Sequence, residues 1–224
     1  MNYQAVIFDL DGTLVNSLED LADSANELLT QRGYPTHDVS EYKYFVGNGS
    51  RKLMERVLPE SKRTDEEIDT CMEIYKEIYA RRQLNKTRPY PGIMQLLQTL
   101  QNYGIKIAVC TNKHISAATV ILDTLFGQGT FTHVVADRPG TDFKRKPDPA
   151  NVLRLAAEMD VIPEQVAYLG DSSVDMETAT RAGFFPVGCL WGFRTKEELE
   201  QNGAKVLLKT PDQLFEKVHF DIKS

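Results

Sequence analysis

Residues 5–13 have the sequence Ala-Val-Ile-Phe-Asp-Leu-Asp-Gly-Thr, in which a short apolar run leads directly into two acidic residues and a glycine. An apolar run of this length is typical of a strand buried on both faces of a sheet. Side chains alternate along an extended chain, so Asp9 and Asp11 share one side while Leu10 faces the other. Gly12 then permits a sharp turn. The segment predicts a buried strand with a pair of carboxylates at its carboxyl end.

Further apolar runs predict buried strands at residues 105–110, 133–136, 166–169, 185–190 and 205–208. From residue 92 onward they alternate with segments whose apolar residues recur at intervals of three and four, as in a helix with one buried face. These helices are predicted at residues 92–103, 115–125, 150–159 and 174–182. The alternation indicates a doubly wound α/β fold, a parallel sheet covered by helices. In such sheets ligands bind beyond the carboxyl ends of the strands.

One stretch, residues 16–87, interrupts the alternation with helices only. The helices are predicted at residues 17–32, 50–58 and 65–82, and their apolar stripes can pack together as a small bundle. Residues 15–16 and the segment 85–92, which is rich in Pro and Gly, are predicted to link this bundle to the rest of the chain. We therefore predict an α/β core of residues 1–15 and 88–224 and a helical insert of residues 16–87.

The ends of the insert's helices carry capping signals. Ser17 with Asp20, and Thr64 with Glu67, have the spacing of a capping box, in which two side chains satisfy free N–H groups of the first turn. Gly33 is placed where the first of these helices would end.

A second acidic pair, Asp171 and Asp175, follows the strand predicted at residues 166–169. If the next helix begins near residue 173, the two carboxylates lie about one turn apart and repel each other. Carboxylate oxygens are hard ligands that suit Mg²⁺, which binds one or two of them and keeps water and phosphate in its other positions. The alternative is that Asp171 caps the helix while Asp175 faces solvent.

Two other strand ends carry residues that can bind an anion instead of a cation. Thr111 and Asn112 follow the strand predicted at residues 105–110 and offer hydroxyl, amide and backbone N–H groups that can hold phosphate oxygens, although both residues are also ordinary helix caps. Lys144, Arg145 and Lys146 lie in the loop after the strand predicted at residues 133–136. A charge run of this kind is usually a solvated loop.

These candidate site residues share one position, directly after a strand of the predicted parallel sheet. They are Asp9, Asp11, Thr111, Asn112, Lys146, Asp171 and Asp175. Because the carboxyl ends of parallel strands meet at one edge, we expect the seven side chains to gather there. Independent caps, turns and solvated loops do not predict such convergence.

Composition excludes several classes of protein. The 224 residues include 26 basic and 32 acidic side chains, a net charge of −6, so no general field favours a nucleic-acid partner. No run of 18 apolar residues occurs, and the first apolar run is too short for a signal-peptide core, so we expect a cytoplasmic protein without membrane partners. The three cysteines are widely separated, which favours buried thiols over a disulfide or zinc framework. Neither GxGxxG nor GxxxxGK[ST] is present, which argues against a nucleotide-binding dehydrogenase.

The motifs Asp9-Leu-Asp11-Gly-Thr, Thr111-Asn-Lys, Lys146-Pro-Asp-Pro and Gly170-Asp-Ser-Ser-Val-Asp, in this order, resemble the haloacid dehalogenase (HAD) superfamily of phosphatases. Within it the chain is similar to phosphoglycolate phosphatases, through Thr111-Asn-Lys and Val46-Gly-Asn-Gly. The resemblance covers essentially the whole chain. It implies an α/β, doubly wound HAD-like core (Rossmannoid) with strand order 5-4-1-2-3, and a small inserted helical cap domain that moves over the site.

The resemblance also implies a reaction, the Mg²⁺-dependent hydrolysis of a small phosphorylated metabolite, 2-phosphoglycolate being the best match. Asp9 would attack phosphorus to form an aspartyl-phosphate, and Asp11 would protonate the leaving oxygen and then deprotonate the attacking water. The metal would be held by Asp9, Asp171 and the backbone carbonyl of Asp11.

The other core residues have implied roles around the phosphoryl group. Thr111, the backbone of Asn112 and Lys146 would bind its oxygens. Asp175 would orient Lys146 or a metal-bound water. Whether Asp175 also touches the metal directly stays open.

Substrate choice is expected from the insert, because these core groups recognise only phosphate and metal. The polar or basic candidates there are Tyr44, Asn48, Arg51 and Lys52. Arg51 or Lys52 is expected to meet a substrate carboxylate, as phosphoglycolate would require. The alternative, at helical spacing, is that both side chains face solvent.

Several other functions share part of this chemistry. A haloacid dehalogenase needs neither a metal nor a second acid, so Asp11 and Asp171 argue against it. A sugar phosphomutase or a pyrophosphatase of the same family stays open. A receiver-type signalling domain, which is a binding switch, also places Asp, Thr and Lys on a parallel sheet, but it is usually shorter and lacks a helical insert. The sequence leaves both a monomer and a homodimer open.

Overall fold

The computed structural model describes residues 2–221, which form eight β-strands, ten α-helices and four short 3-10 helices. In chain order the strands are β1 (Ala5–Phe8), β2 (Val15–Asn16), β3 (Arg88–Pro89), β4 (Lys106–His114), β5 (His133–Asp137), β6 (Val166–Gly170), β7 (Phe185–Cys189) and β8 (Val206–Leu208). The helices are α1 (Leu18–Gln31), α2 (Tyr42–Phe45), α3 (Ser50–Val57), α4 (Asp65–Arg82), α5 (Ile93–Asn102), α6 (Ile115–Phe126), α7 (Ala150–Glu158), α8 (Ser173–Ala182), α9 (Lys196–Gln201) and α10 (Leu214–Lys217).

Six of the strands form one sheet in the order β5-β4-β1-β6-β7-β8, and every neighbouring pair is parallel. Counted among themselves in chain order, the strands of the sheet run 3-2-1-4-5-6. Read from the opposite edge, this order is 6-5-4-1-2-3, which contains the implied order 5-4-1-2-3 and confirms it. β8, predicted at residues 205–208, adds one further strand at the β7 edge. The doubly wound α/β core is confirmed.

β1 lies at the centre of the sheet because both of its faces are apolar. Val6 and Phe8 pack in one buried cluster, while Ala5 and Ile7 pack in another on the opposite face. All four side chains are fully buried, and burial of each larger one contributes about 1.5 to 3 kcal/mol. The strand therefore delivers Asp9 to the sheet edge from a fixed position.

The predicted helices are all present, each within one residue of its expected ends, but one strand continues further than its apolar pattern indicates. β4 extends to His114, pairing Thr111 with Ala136 and His114 with Asp137 of β5, with a break in register between the two pairs. Such an irregularity bends a strand and re-aims its side chains. The segment predicted as a loop before α6 is therefore the end of a strand. α2, α9 and α10 are short and were not indicated by the sequence pattern.

The two predicted linkers pair with each other. Val15 lies opposite Pro89 and Asn16 opposite Arg88, so β2 and β3 form an antiparallel ribbon between the sheet and the helical insert. The domain boundaries predicted at 15/16 and 87/88 fall in this ribbon.

The capping box predicted for Ser17 and Asp20 is wrong. Ser17 makes no capping hydrogen bond and instead donates from Oγ to Asp11 Oδ1 at 2.5 Å, because the turn at residue 12 brings the two residues together. The buried carboxylate of Asp20 accepts from the backbone N–H groups of Lys86 and Thr87 and from the Thr87 hydroxyl. Asp20 thus joins the start of α1 to the returning chain.

Of the other two capping signals, the box of Thr64 and Glu67 is half formed and the glycine cap is present. The Glu67 N–H donates to Thr64 Oγ1 at 3.2 Å, although the Glu67 carboxylate pairs with Arg32 instead of closing the box. Gly33 follows α1 with φ +70°, the left-handed conformation expected after a helix.

The helices of the insert, α1 to α4, pack around an apolar cluster of their own. Leu28 of α1, Tyr42 of α2, Met54 of α3 and Ile78 of α4 are among its most buried side chains. Phe193, from the loop after β7, packs in the same cluster. A residue of the sheet's own loops is therefore part of the interior of the insert.

All three cysteines lie within the described residues, and none of them forms a disulfide. Cys71, Cys110 and Cys189 are free and buried, as their spacing predicted. None of the helices between residues 2 and 221 combines the length and the apolar character needed to cross a bilayer.

Candidate active site

A buried cluster of three carboxylates lies at the carboxyl edge of the sheet. Asp9 follows β1, and Asp171 and Asp175 follow β6; one oxygen of each lies within 4.8 Å of the others. The ammonium of Lys146 reaches them from the loop after β5, with Nζ 2.8 Å from Asp9 Oδ1 and 2.6 Å from Asp175 Oδ1. Four of the seven core candidates therefore meet in one place, which we call the carboxylate cluster.

Burial dominates the electrostatics of the carboxylate cluster. It raises the pKa of Asp9 to about 7, with a further increase from the charge of Asp175 and an opposing decrease from Lys146. It also raises the pKa of Asp171 well above its usual value, and the charges of Asp175 and Asp9 add to this. Burial alone would lower the pKa of Lys146, but the charges of Asp175 and Asp9 outweigh it and raise that pKa.

One ammonium does not balance three buried carboxylates, and buried charges are costly unless they are paired or bind a metal. The donor set consists of hard oxygens, which are the ligands that Mg²⁺ prefers. The carboxylate cluster can therefore bind a divalent metal ion.

The Asp171 side chain is positioned by residues for which the sequence predicted no role in the site. Its Oδ2 accepts from the backbone N–H of Phe193 at 2.7 Å, and its Oδ1 accepts from the Thr13 hydroxyl at 3.3 Å. A Cβ atom at Gly192 would lie 2.2 Å from Asp171 Cβ, and one at Gly12 would lie 2.2 Å from Asp171 Oδ2. The two glycines therefore leave the space that this carboxylate occupies.

Asp175 is fully buried, so the alternative of a solvated Asp175 beside a capping Asp171 is wrong. Its Oδ2 accepts from the Ser172 N–H at 3.1 Å and from the Ser172 hydroxyl at 2.6 Å, at the start of α8. Its Oδ1 faces Lys146 and the Tyr168 hydroxyl. Since both oxygens are engaged, Asp175 fixes the position of the Lys146 ammonium.

The side chain of Asp11 has different partners from Asp9. Both of its carboxylate oxygens lie 3.0 Å from Lys113 Nζ, and Ser17 donates to Oδ1. The Lys113 ammonium also lies 4.6 Å from the centroid of the Tyr79 ring. Lys113 is part of the Thr-Asn-Lys motif but was assigned no site role, because the extension of β4 that turns it inward is not visible in the apolar pattern.

Thr111 and Asn112 lie beside the carboxylate cluster. Asn112 Oδ1 accepts from the Lys146 N–H at 2.9 Å, and its Nδ2 donates to the carbonyl oxygens of Gly47 and Lys146 at 3.2 and 3.3 Å. Thr111 Oγ1 accepts from the Lys113 N–H at 3.1 Å. The Asn112 side chain therefore joins β4, the loop of Lys146 and the helical insert.

A cavity of about 400 Å³ separates the strand ends from the insert. Its floor contains Asp9, Asp11, Thr111, Asn112 and Lys113. The insert covers it largely with apolar side chains and with the backbone around Gly47 and Gly49. The space can hold a small molecule beside the carboxylates.

The substrate contacts predicted for Arg51, Lys52 and Asn48 do not fit this geometry. Arg51 forms ion pairs with Glu55 and with Asp65 and Asp69 of α4, and Lys52 pairs with Glu55. The Asn48 side chain accepts from Arg56. None of the three candidates lines the cavity, and neither does Tyr44, which is 58% exposed.

Known proteins with similar sequences point to one family. The family model for haloacid dehalogenase-like hydrolases matches residues 6–188. A phosphoglycolate phosphatase of Psychrobacter arcticus is 33% identical over 208 residues, covering 90% of this chain and 89% of that protein. A phosphoglycolate phosphatase of Aquifex aeolicus is 32% identical over 191 residues, covering 85% of this chain and 86% of that protein.

Solved structures have the same architecture. The crystal structure of a protein from Lactobacillus delbrueckii subsp. bulgaricus superposes with a TM-score of 0.90 at 30% identity, covering 98% of this chain and 99% of that one. A predicted phosphoglycolate phosphatase from Haemophilus somnus gives 0.87 at 26% identity, covering 96% and 98%. The match to the family model over most of the chain confirms the predicted family. This chain belongs to the haloacid dehalogenase-like hydrolases.

Proposed function

We propose that this hydrolase is a Mg²⁺-dependent phosphatase that cleaves a small phosphomonoester, first of all 2-phosphoglycolate, through an aspartyl-phosphate on Asp9. The observation that carries the proposal is the carboxylate cluster with Lys146, which meets the cavity under the insert through Asp9. The names of the relatives from Psychrobacter arcticus and Aquifex aeolicus support the substrate.

Asp9 is the nucleophile in this proposal. A carboxylate oxygen of Asp9 bonds to phosphorus as the bond from phosphorus to the substrate oxygen breaks. Lys146, 2.8 Å from Asp9 Oδ1, favours the ionised form that the attack requires. Asp9, Asp171 and the backbone carbonyl of Asp11 would hold Mg²⁺, which when bound supplies positive charge against the phosphoryl oxygens.

Asp11 is the acid and base. Its proton passes to the leaving oxygen in the first step; in the second, Asp11 takes a proton from the water that attacks phosphorus and releases phosphate from Asp9. Ser17 and Lys113 hold its carboxyl group at the cavity floor, apart from the carboxylate cluster. This separation gives the two aspartates different roles.

Thr111, the Asn112 backbone and Lys146 are proposed to bind the phosphoryl oxygens. The first two line the cavity next to Asp9, and the third extends its ammonium into the carboxylate cluster. Asp175 holds that ammonium in place at 2.6 Å. A fixed donor array of this kind stabilises the charge that spreads over the phosphoryl group.

The helical insert, residues 16–87, is proposed to act as a cap domain on the core of residues 1–15 and 88–224. The carbonyl of Gly47 accepts from Asn112, and that of Val46 accepts from Arg194 at 3.0 Å. These contacts hold the insert against the core beside the cavity that Asp9 lines. The cytoplasmic location expected from the sequence stays a prediction.

The test is phosphate release from a panel of 2-phosphoglycolate, phosphosugars, pyrophosphate and p-nitrophenyl phosphate, with Mg²⁺ or with a chelator. We expect turnover of 2-phosphoglycolate above the other substrates, lost with chelator and in Asp9→Asn. Arg51→Ala should keep wild-type turnover, since its side chain lies outside the cavity wall. Turnover that survives chelation or Asp9→Asn would contradict the mechanism. Preference for a phosphosugar or pyrophosphate would contradict the substrate.

A further inference from the structure

One side of α4 and the residue after it line the cavity and carry buried polar atoms. Tyr75, Tyr79 and Gln83 follow one another at intervals of four residues and are 5%, 6% and 7% exposed. Among residues 2–221, no hydrogen-bond partner exists for the hydroxyls of Tyr75 and Tyr79 or for Oε1 of Gln83. All three residues line the cavity. Buried polar groups normally have partners, so a bound molecule is expected to supply them.

The two tyrosines lie close to the catalytic floor. Their rings stack with centroids 5.7 Å apart at an interplanar angle of 9°. Lys113, which holds Asp11, places its ammonium 4.6 Å from the Tyr79 centroid. The Tyr79 ring therefore lies beside the pair of Lys113 and Asp11, and the Tyr75 ring is stacked on it.

The hydroxyls of Tyr75 and Tyr79 require a hydrogen-bond acceptor. Burial raises the pKa of both tyrosine hydroxyls well above the usual value, so they stay protonated donors. A carboxylate is acceptor-only and offers about four lone-pair sites. Lys113 lies on the same side of the cavity, where its ammonium is paired with Asp11. Gln83 differs, since its free Oε1 accepts and would suit a substrate hydroxyl.

We propose that Tyr75 and Tyr79 bind the carboxylate of the substrate's leaving group and so select carboxylate-bearing phosphomonoesters. This inference rests on the proposed phosphatase function and assigns the substrate contact to α4 instead of to Arg51 or Lys52.

The test compares Tyr75→Phe and Tyr79→Phe with Tyr44→Phe, a tyrosine of the insert outside the cavity wall. For 2-phosphoglycolate, each of the first two variants should raise KM about tenfold to a hundredfold, the usual effect of losing a hydrogen bond to a charged group. For p-nitrophenyl phosphate, which has no carboxylate, kcat and KM should stay within about twofold of wild type. Tyr44→Phe should resemble wild type with both substrates.

Thermal unfolding and ligand binding provide controls that do not depend on catalysis. Since the two hydroxyls have no partner in the ligand-free protein, Tyr75→Phe and Tyr79→Phe should melt at or above the wild-type temperature. In an Asp9→Asn background, calorimetry should detect weaker 2-phosphoglycolate binding in both Phe variants. A lowered melting temperature, or an equal rise of KM for both substrates, would mean a structural role and would overturn the inference.

Other outcomes separate this inference from the proposed function. If wild type hydrolyses p-nitrophenyl phosphate but the Phe variants leave 2-phosphoglycolate kinetics unchanged, only the inference fails. If Gln83→Leu impairs hydrolysis of glycerol phosphate while the Phe variants do not impair 2-phosphoglycolate, the wall recognises hydroxyls and the inference is wrong. If no phosphomonoester is hydrolysed, the proposed function fails and the inference with it.

Discussion

The ammonium of Lys113 lies 3.0 Å from each carboxylate oxygen of Asp11. Its side chain is only 6% exposed, and the pair is enclosed between the sheet edge and α4. The proposed acid and base is therefore positioned by a charge that reaches it from the next strand of the sheet.

We expect Lys113→Ala to lower kcat for p-nitrophenyl phosphate about tenfold or more, because Asp11 loses the group that orients it. KM should change less, since Lys113 is not assigned to the phosphoryl group. Lys113→Arg should restore part of kcat through a two-point contact with the carboxylate. Lys52→Ala, an exposed lysine paired with Glu55, is the control and should match wild type. Equal losses of kcat in Lys113→Ala and Lys113→Arg would count against positioning.

The raised pKa of Asp9, about 7, predicts the pH dependence of stability in the metal-free protein. Because the pKa is higher in the folded state than in the unfolded chain, folding favours the protonated form, and this contribution is lost as pH rises from about 4 to 7. Asp9→Asn should remove this dependence and be more stable than wild type at pH 8 by about 1 to 3 kcal/mol. Urea unfolding with chelator, from pH 4 to 8, measures both proteins. A stability difference that does not grow with pH would contradict the burial of an ionising Asp9.

Gly192→Ala should disable the site by a steric effect. The new Cβ would lie 2.2 Å from Asp171 Cβ and 2.5 Å from the Gly12 carbonyl, so Asp171 must move. We expect a loss of turnover and at least about tenfold weaker Mg²⁺ binding, as for other disturbances around metal ligands. Gly33→Ala is the control: it has open space but φ +70°, so it should cost about 1 kcal/mol of stability and no activity. Normal Mg²⁺ titration of Gly192→Ala would exclude the predicted clash.

Asp20→Ala should destabilise the protein by about 2 to 4 kcal/mol, because two N–H groups and a hydroxyl lose a buried charged acceptor. Asp23→Ala, on the same helix, removes only a surface ion pair with Lys86 and should cost less than about 1 kcal/mol. Denaturant unfolding of the two variants gives the comparison. Similar losses in both would indicate that Asp20 does not fasten the returning chain.

The sequence predicted the core of the site because strand geometry is periodic. Alternation of side chains fixes the direction of the residues at the ends of β1 and β6, and parallel strands must end at one edge of the sheet. Asp9 and Asp171 could therefore be brought together without coordinates. The same rules placed Thr111 and Lys146 nearby.

The contacts that were missed or wrong depend on tertiary packing. Arg51 lies on the polar side of a helix, but its acidic partners Asp65 and Asp69 belong to another helix whose position no local pattern gives. Ser17 has the spacing of a cap, yet Asp11 competes for its hydroxyl once the chain has turned. Lys113 points inward only because β4 continues through a break in register. Local periodicity identifies the buried side of an element but not the neighbour it faces.

Phe193 has a consequence for how such an enzyme can diversify. Its amide is bonded to Asp171, while its ring is enclosed by the helices that roof the cavity. A change in the helices that cover the cavity must still accommodate this ring, because displacing the ring would also remove a hydrogen bond from Asp171.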